Sequence, residues 1–374
     1  MDIPAKFAPL TCSQDGWDYE VADRSKLPAK PVVSVSIITY QHAPFIRQAL
    51  DSVLMQQVDF PYEICIGEDG STDGTRETCL EYAAQHPDKI RLFLRDRANP
   101  ARQQYRVPFM YNGMKTIGIC LGKYVAVLEG DDYWNHSRKL QKQVDFLEGH
   151  PDFVGSHHNT HLRWEGGNSA LDGGCSGRQR RNSTDRNGPK PVTDLRDVAE
   201  GGFYVTCTVM FRNLPVLRNL PGFFYRCPVG DHPLAMILAE HGRFGYFPEA
   251  MATYRIHPHG VWSSLSEFEA IQKRIDTLEA MCCGHFPPDI EAVLRMQVLG
   301  MLFRLAKYRE TAEQEQYCRL KLEEYIREHP GLCADDFLNR GKEYSRLRNR
   351  HDRLYESVWL KPYRFLEWLR GCPQ

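Results

Sequence analysis

The chain has no run of about 20 apolar residues, so a membrane-spanning helix is not expected. It also has no surplus of either charge: 47 Lys+Arg stand against 48 Asp+Glu, a net charge of -1, which gives no support for nucleic acid as a partner. No C-x-x-C pair accompanies its twelve cysteines, which are scattered and partly embedded in apolar stretches such as "EICIG" and "TCTVMF". A zinc ribbon is therefore excluded, and free thiols in a reduced, cytosolic setting are expected. The opening residues lack a basic start followed by an apolar run, so no signal peptide is expected. No internal repeat occurs.

What is present is the composition of a globular protein, 42% hydrophobic and 25% charged over 374 residues, enough for one large or two ordinary domains. After an N-terminal extension, residues 1–30, apolar β-favouring runs alternate with helical periods. Strands are expected at Val32 to Tyr40, Tyr62 to Gly67, Lys89 to Leu94 and Tyr124 to Asp132. Helices are expected from Pro44 to Gln56, from Thr75 to Gln85 with Ser71, Thr72 or Asp73 as cap, and from Phe109 to Cys120. Such alternation implies a mostly parallel sheet covered on both faces, with ligands bound beyond the carboxyl ends of its strands. A catalytic domain is thus expected over 31–264, divided into 32–134 and 135–264. A polar stretch at about 162–194 reads as a loop, and residues 265–374 as a helical extension.

The fourth strand ends in "LEGDDYW", with Glu129, Asp131 and Asp132 crowded together. Turn and cap chemistry accounts for many acidic clusters. Like charges at this density repel, however, unless a cation sits among them, and Mg²⁺ or Mn²⁺ prefers carboxylate oxygens while leaving positions open for phosphates. The stretch therefore suggests a metal–phosphate site. Tyr133 and Trp134 suit either stacking on a sugar or core packing. His157, His158 and His161 would share a face only in a helix, whereas "DFVGS" before them reads as a strand, so a zinc site is not expected there.

Taken in order, "SIITYQHAPFIRQALDSVLMQ", "EICIGEDGSTDGT", "GKYVAVLEGDDYWNHSRKLQKQVDFLEGHPD", "VGDHPLA" and "YRIHPHGVWS" resemble the inverting nucleotide-sugar glycosyltransferases of family 2, which have the GT-A fold. The resemblance covers roughly Val32 to Ser264. It implies that Asp131 reaches a divalent metal, that Asp132 shares the metal or orients its neighbours, and that Glu129 points toward the donor ribose or sugar. Asp69 would accept a hydrogen bond from the donor base, Thr39 and Tyr40 would line the base pocket, and Glu68 stands where Asp is more usual. Asp231 matches the base that removes the acceptor proton, with a helix cap as its plainer reading, and Gly230 replaces a residue that is often acidic. His232 would assist the base or cap the same helix. His257 matches a histidine that closes over metal and phosphate, and Arg255 would pair with a carboxylate or contact the acceptor.

The resemblance thus implies a metal-dependent, inverting transfer from a UDP-sugar to a hydroxyl of a glycan or lipid-linked acceptor in surface polysaccharide synthesis, such as capsule or O-antigen. A sugar-1-phosphate nucleotidyltransferase is the alternative enzyme, but "IITYQHAPF" lacks its glycine-rich loop. A non-catalytic nucleotide-sugar-binding scaffold is the alternative of another class. Between Arg340 and Arg370, basic residues interleave with aromatics and leucines, which fits either docking on the anionic inner face of the plasma membrane or packing in the protein or a dimer.

Overall fold

The computed structural model describes residues 10–13, 16–107, 109–165, 179–182, 190–201, 204–305 and 311–329. It divides into two compact units, 1–264 and 265–374. In the first, a short hairpin of β1 (Leu10–Cys12) and β2 (Tyr19–Val21) precedes β3 (Val33–Thr39), α1 (Ile46–Leu54), β4 (Tyr62–Glu68), α2 (Thr75–Gln85), β5 (Ile90–Leu94), α3 (Phe109–Gly118) and β6 (Tyr124–Glu129). Then come β7 (Tyr133–Trp134), α4 (Lys139–Gly149), β8 (Phe153–Trp164), β9 (Gln179–Asn182), β10 (Val192–Thr193), α5 (Leu195–Ala199), β11 (Met210–Arg212), α6 (Asp231–Ala239) and β12 (Arg243–Ile256).

The strands form a single sheet in the order β1-β2-β5-β4-β3-β6-β11-β8-β12-β10, with β7 on β12 and β9 on β8. The four strands β5-β4-β3-β6 are parallel, as their alternation with helices predicts. On one face Val35, Ile37, Ile64, Ile66, Leu92 and Leu128 pack with Ile46, Ala49, Leu50 and Val53 of α1 and Cys79 and Leu80 of α2. Each large aliphatic side chain buried this way stabilises the unit by about 1.5–3 kcal/mol. The opposite face carries α3, packed so closely that a Cβ on Gly67 would meet Asn112 Oδ1 and Thr116 Oγ1 at 2.2 Å.

Beyond β6 the sheet becomes mixed, because β11 runs antiparallel to both β6 and β8. Three features depart from the sequence expectation. The β1–β2 hairpin in the N-terminal extension covers the β5 edge and carries no periodicity long enough to read. In the apolar run Phe203 to Arg212, the described residues 204–212 contain only the short β11 after a 3₁₀ turn at Thr206–Thr208. The polar stretch at 162–194 contributes β9 and β10, paired to β8 and β12 by long-range hydrogen bonds that composition does not reveal. Within it, residues 166–178 and 183–189 lie outside the described residues.

The second unit comprises α7 (Glu267–Met281), α8 (Pro288–Leu305) and α9 (Ala312–Glu328). Capping boxes begin α7, between Ser266 and Glu269, and α9, between Thr311 and Gln314. The basic segment Arg340 to Arg370 lies outside the described residues. Among the described residues no helix is long and apolar enough to cross a membrane.

Candidate active site

Parallel register aligns the strand tips. Thr39 stands opposite Glu68, and Ile38 opposite Glu129, so the loops after β3, β4 and β6 leave the sheet side by side. Backbone bonds continue past the strands, from Asp69 N to Thr39 O and from Gly130 N to Ile38 O. Gly130 permits this closeness: a Cβ there would lie 2.6 Å from Thr39 Oγ1 and 3.0 Å from His42 Nδ1.

At the β4 tip, Glu68 is fully buried, accepting from Ser71 N at 2.6 Å and pairing with Arg76 Nε at 2.5 Å. Its carboxylate therefore closes the loop rather than facing outward. Asp73 accepts from Thr75 N and from Ala43 N, joining the start of α2 to the β3–α1 turn, while Gly74 occupies the cap position itself. Asp69 is held by Arg102 through both guanidinium nitrogens, at 2.7 and 2.8 Å, and by Arg97 at 3.1 Å. The Arg97 guanidinium lies 4.1 Å over the ring of Tyr40, which is exposed, beside buried Thr39. Arg102, in a 3₁₀ turn started by Asn99, is the partner that sequence reading missed. In "ANPARQQ" the only signal is an Asn-Pro turn start, which does not say where the arginine points.

At the β6 tip the three carboxylates have different surroundings. Asp132 is fully buried and accepts from Arg255 N at 2.8 Å; burial and the neighbouring Asp131 and Glu129 charges push its carboxyl well above the usual range. Glu129 is pushed up to about 8 by burial and by the Asp131 charge, with Asp231 adding to it. For Asp131 burial acts the same way, but a hydrogen bond from His257 at 3.1 Å and the charges of His42 and His257 outweigh it, leaving the carboxyl below its usual range. His42 Nε2 is 3.7 Å from the same Oδ2 atom. Among the described residues no lysine or arginine pairs with any of the three carboxylates, and Glu129 Oε2, His42 Nδ1 and His257 Nδ1 are buried without hydrogen-bond partners.

Arg255 is not brought to the opening. Its guanidinium is buried between the rings of Phe45 and Tyr133 and bonds the Asp131 carbonyl, Gln48 and Glu165, so it anchors the tip from below. Tyr133 and Trp134 are likewise turned inward, because β7 pairs with β12; Trp134 donates to Cys207 O at 2.9 Å and has Lys139 Nζ 4.0 Å over its ring. Neither offers a face to a sugar.

Asp231 opens α6 and bonds the next backbone amide, His232 N, at 2.7 Å. Its charge is felt by Glu129 and by the half-buried Tyr204, so it belongs to the same electrostatic cluster as the β6 tip. His232 is tied through Nε2 to Val198 O of α5 at 2.8 Å, a structural use of the ring. On β8, His157 and His158 are buried and His161 is half-buried, in a strand as expected.

A divalent ion is implied by the family resemblance, and the β6 tip fits one in its chemistry: a partly exposed carboxylate, imidazoles beside it, and two further carboxyl groups with no lysine or arginine partner among the described residues. Among the described residues no three His, Cys, Asp or Glu side chains are placed to hold an ion unaided. That suits an ion shared between few protein ligands and substrate phosphates.

Residues 34–165 match the family described as Glycosyl transferase family 2. An uncharacterized protein of Mycobacterium tuberculosis is 32% identical over 237 residues, covering 62% of this chain and 61% of its own length. Chondroitin synthase of Escherichia coli is 30% identical over 122 residues, 30% of this chain and 15% of its own. Among solved structures, S. aureus TarS 1-349 in complex with UDP-GlcNAc is matched over 79% of this chain and 80% of its own at 17% identity, with a TM-score of 0.49. The matched region spans less than two thirds of these curated relatives. The chain thus carries, at 34–165, a domain that matches the family 2 glycosyltransferases, with its strand-tip carboxylates on a helix-flanked sheet.

Proposed function

We infer that the protein transfers a sugar from a uridine diphosphate donor to a hydroxyl of a glycan or lipid-linked acceptor, with inversion. The observation that carries this reading is the presence, at two strand tips flanking β3, of an arginine-held carboxylate and of a carboxylate cluster that no lysine or arginine pairs with among the described residues. Asp69, already accepting three bonds, has about one lone pair left, on Oδ1, to accept the N3–H of uracil, while Arg97 and Arg102 can donate to a ring carbonyl, with Tyr40 and Thr39 bordering the base.

At the other tip Asp131, with His257, would hold a manganese or magnesium ion on the donor diphosphate. When bound, that ion supplies positive charge against the charge that builds on the leaving group. Asp132, buried beneath, fixes the backbone that carries Asp131 by accepting from Arg255 N. Asp231 takes the proton from the acceptor hydroxyl as its oxygen bonds to the anomeric carbon and the carbon–oxygen bond to the diphosphate breaks. Its place at the start of a helix, within electrostatic reach of Glu129, supports this role. The likeness to a chondroitin synthase supports a polysaccharide acceptor. The basic segment at 340–370 supports work at an anionic membrane face, where lipid-linked acceptors reside.

Calorimetric titration with UDP, GDP and dTDP, each with Mn²⁺ and again with EDTA, tests the reading. UDP is expected to bind in a metal-dependent manner, and Asp231→Asn is expected to lose turnover by about 10²-fold or more while binding UDP normally. Absence of metal-dependent binding of any nucleotide would move the non-catalytic scaffold to the front.

A further inference from the structure

The β1–β2 hairpin lies outside the family match at 34–165, yet it reaches the segment that holds Asp69. Ser13 and Asp18 bond across it, Ser13 Oγ accepting from Asp18 N at 2.9 Å and Ser13 N donating to Asp18 O at 2.7 Å. β2 pairs with β5, with Tyr19 opposite Leu94, so Asp18 stands beside the chain that leaves β5 toward Arg97 and Arg102. The Asp18 side chain is buried there and accepts three bonds: Oδ2 from Arg95 Nη1 at 3.0 Å and from the Tyr111 hydroxyl at 2.9 Å, Oδ1 from Asp96 N at 3.1 Å.

Two paths lead on to Asp69. The first runs through Asp96, whose Oδ1 accepts from Ala98 N at 2.8 Å, so both chain neighbours of Arg97 are tied down; Arg97 donates to Asp69 Oδ2 at 3.1 Å. The second runs through the Tyr111 hydroxyl, which accepts from Asn99 Nδ2 at 2.7 Å. Asn99 starts the 3₁₀ turn, its Oδ1 accepting from Ala101 N at 3.0 Å and its carbonyl from Arg102 N at 3.1 Å. Arg102 lies over the Tyr111 ring, 5.1 Å from its centroid, and grips Asp69 with both terminal nitrogens. Asp18, Arg95, Asn99, Arg102 and Tyr111 are all buried, where a made bond orients its partners strongly and a lost one is costly. Fastening the hairpin to the sheet needs only its ladder with β5 and the pair with Arg95. The bonds continue past both, to the two arginines.

We propose that Asp18 is a positioning residue for nucleobase recognition, setting through Asp96, Tyr111 and Asn99 where Arg97 and Arg102 hold Asp69. The idea rests on the reading that Asp69 accepts from the donor base. It makes the N-terminal hairpin part of the donor site without any contact to the donor.

The test is calorimetric titration of the full chain with UDP and with CDP, both in Mn²⁺, because the two share ribose and diphosphate and differ only at the base edge. Asp18→Asn leaves one acceptor oxygen where three donors converge and turns an amide NH₂ toward a donor; Tyr111→Phe keeps the ring under Arg102 and deletes only the hydroxyl. In both variants UDP affinity should fall roughly tenfold while CDP affinity and the dependence on Mn²⁺ stay nearly unchanged. Circular dichroism and a thermal melt report folding, and Tyr111→Phe decides the matter if Asp18→Asn does not fold.

A preference for UDP over CDP that survives in both variants, even at a lower melting temperature, overturns the proposal and leaves the network as a fastening of the hairpin. Equal losses for UDP and CDP also overturn it, since the change then does not act through the base. Asp69→Asn separates this idea from the reading beneath it. If that variant loses the preference and the other two keep it, base recognition stands and the positioning role falls; if Asp69→Asn keeps the preference, both fall.

Discussion

Asp69 and Asp131 stand at tips of the same sheet, separated by a single strand, yet the chain treats their charges in opposite ways. Asp69 is buried and answered by two arginines, one of them bidentate. Asp131 sits among carboxylates and is answered only by imidazoles, while Glu129 and Asp132 beside it are driven toward their neutral forms. The first tip is electrostatically complete when folded; the second is complete only with something cationic in it. Charge that the protein balances internally serves the fold as well as recognition. Charge left unbalanced points to a ligand, because burying it unpaired costs several kcal/mol with no structural return.

The sharpest way to break the comparison is Asp131→Asn. Transfer should fall by about 10³-fold and metal-dependent UDP binding should vanish, while the melting temperature changes little, because losing the hydrogen bond from His257 is offset by relief of the charge that Asp131 places on Glu129 and Asp132. Steady-state rates and a thermal melt measure both. Normal turnover would end the metal assignment, and a large loss of stability would mean that this tip is structural like the other.

Arg102→Ala asks the converse question of Asp69. It leaves a buried carboxylate with only the exposed Arg97, and truncating one partner of such a pair costs about 3 kcal/mol. The double variant Asp69→Asn with Arg102→Met should recover much of that stability without recovering UDP affinity. Chemical denaturation alongside UDP titration separates the two effects. Recovery of affinity in the double variant would remove Asp69 and Arg102 from base recognition.

How far these tips could be read in advance follows from the kind of signal involved. The strands and helices of the nucleotide half are local: the apolar stripe of α1 and the start and end of α2 fall where spacing and turn residues put them. Asp69, Asp131 and Asp231 were legible because short motifs mark them, and the sheet register then aligns the tips that carry the first two. Arg102 and His42 were not, since each matters through a contact about 33 or 89 positions away in sequence, and no local pattern encodes which way such a side chain points. Tyr133 and Trp134 were left open between sugar stacking and core packing. Composition could not choose, because the choice is made by pairing of β7 with the distant β12, which turns both inward.

The smallest effect concerns how the core behind the site handles charge. Burial brings the Lys139 ammonium down to about 7 and the His157 imidazole down to about 3, and holds His158 well below its usual range, so three potential cations are kept near neutrality by losing protons. They do for positive charge what Glu129 and Asp132 do for negative charge. For His157 the unfolded chain binds a proton below about 6.5, whereas the folded chain does not until about 3. Stability is therefore fully present above about pH 6.5 and drains away as the pH falls toward 3. His157→Gln removes that titration, so its melting temperature should drop less between pH 7 and pH 4 than that of the natural protein, by roughly 5 °C. An identical pH dependence in the two proteins would mean that His157 keeps its proton in the folded state. The buried half of the sheet would then hold a paired charge, as the Asp69 tip does, and the contrast between balanced and unbalanced regions would have to be redrawn around it.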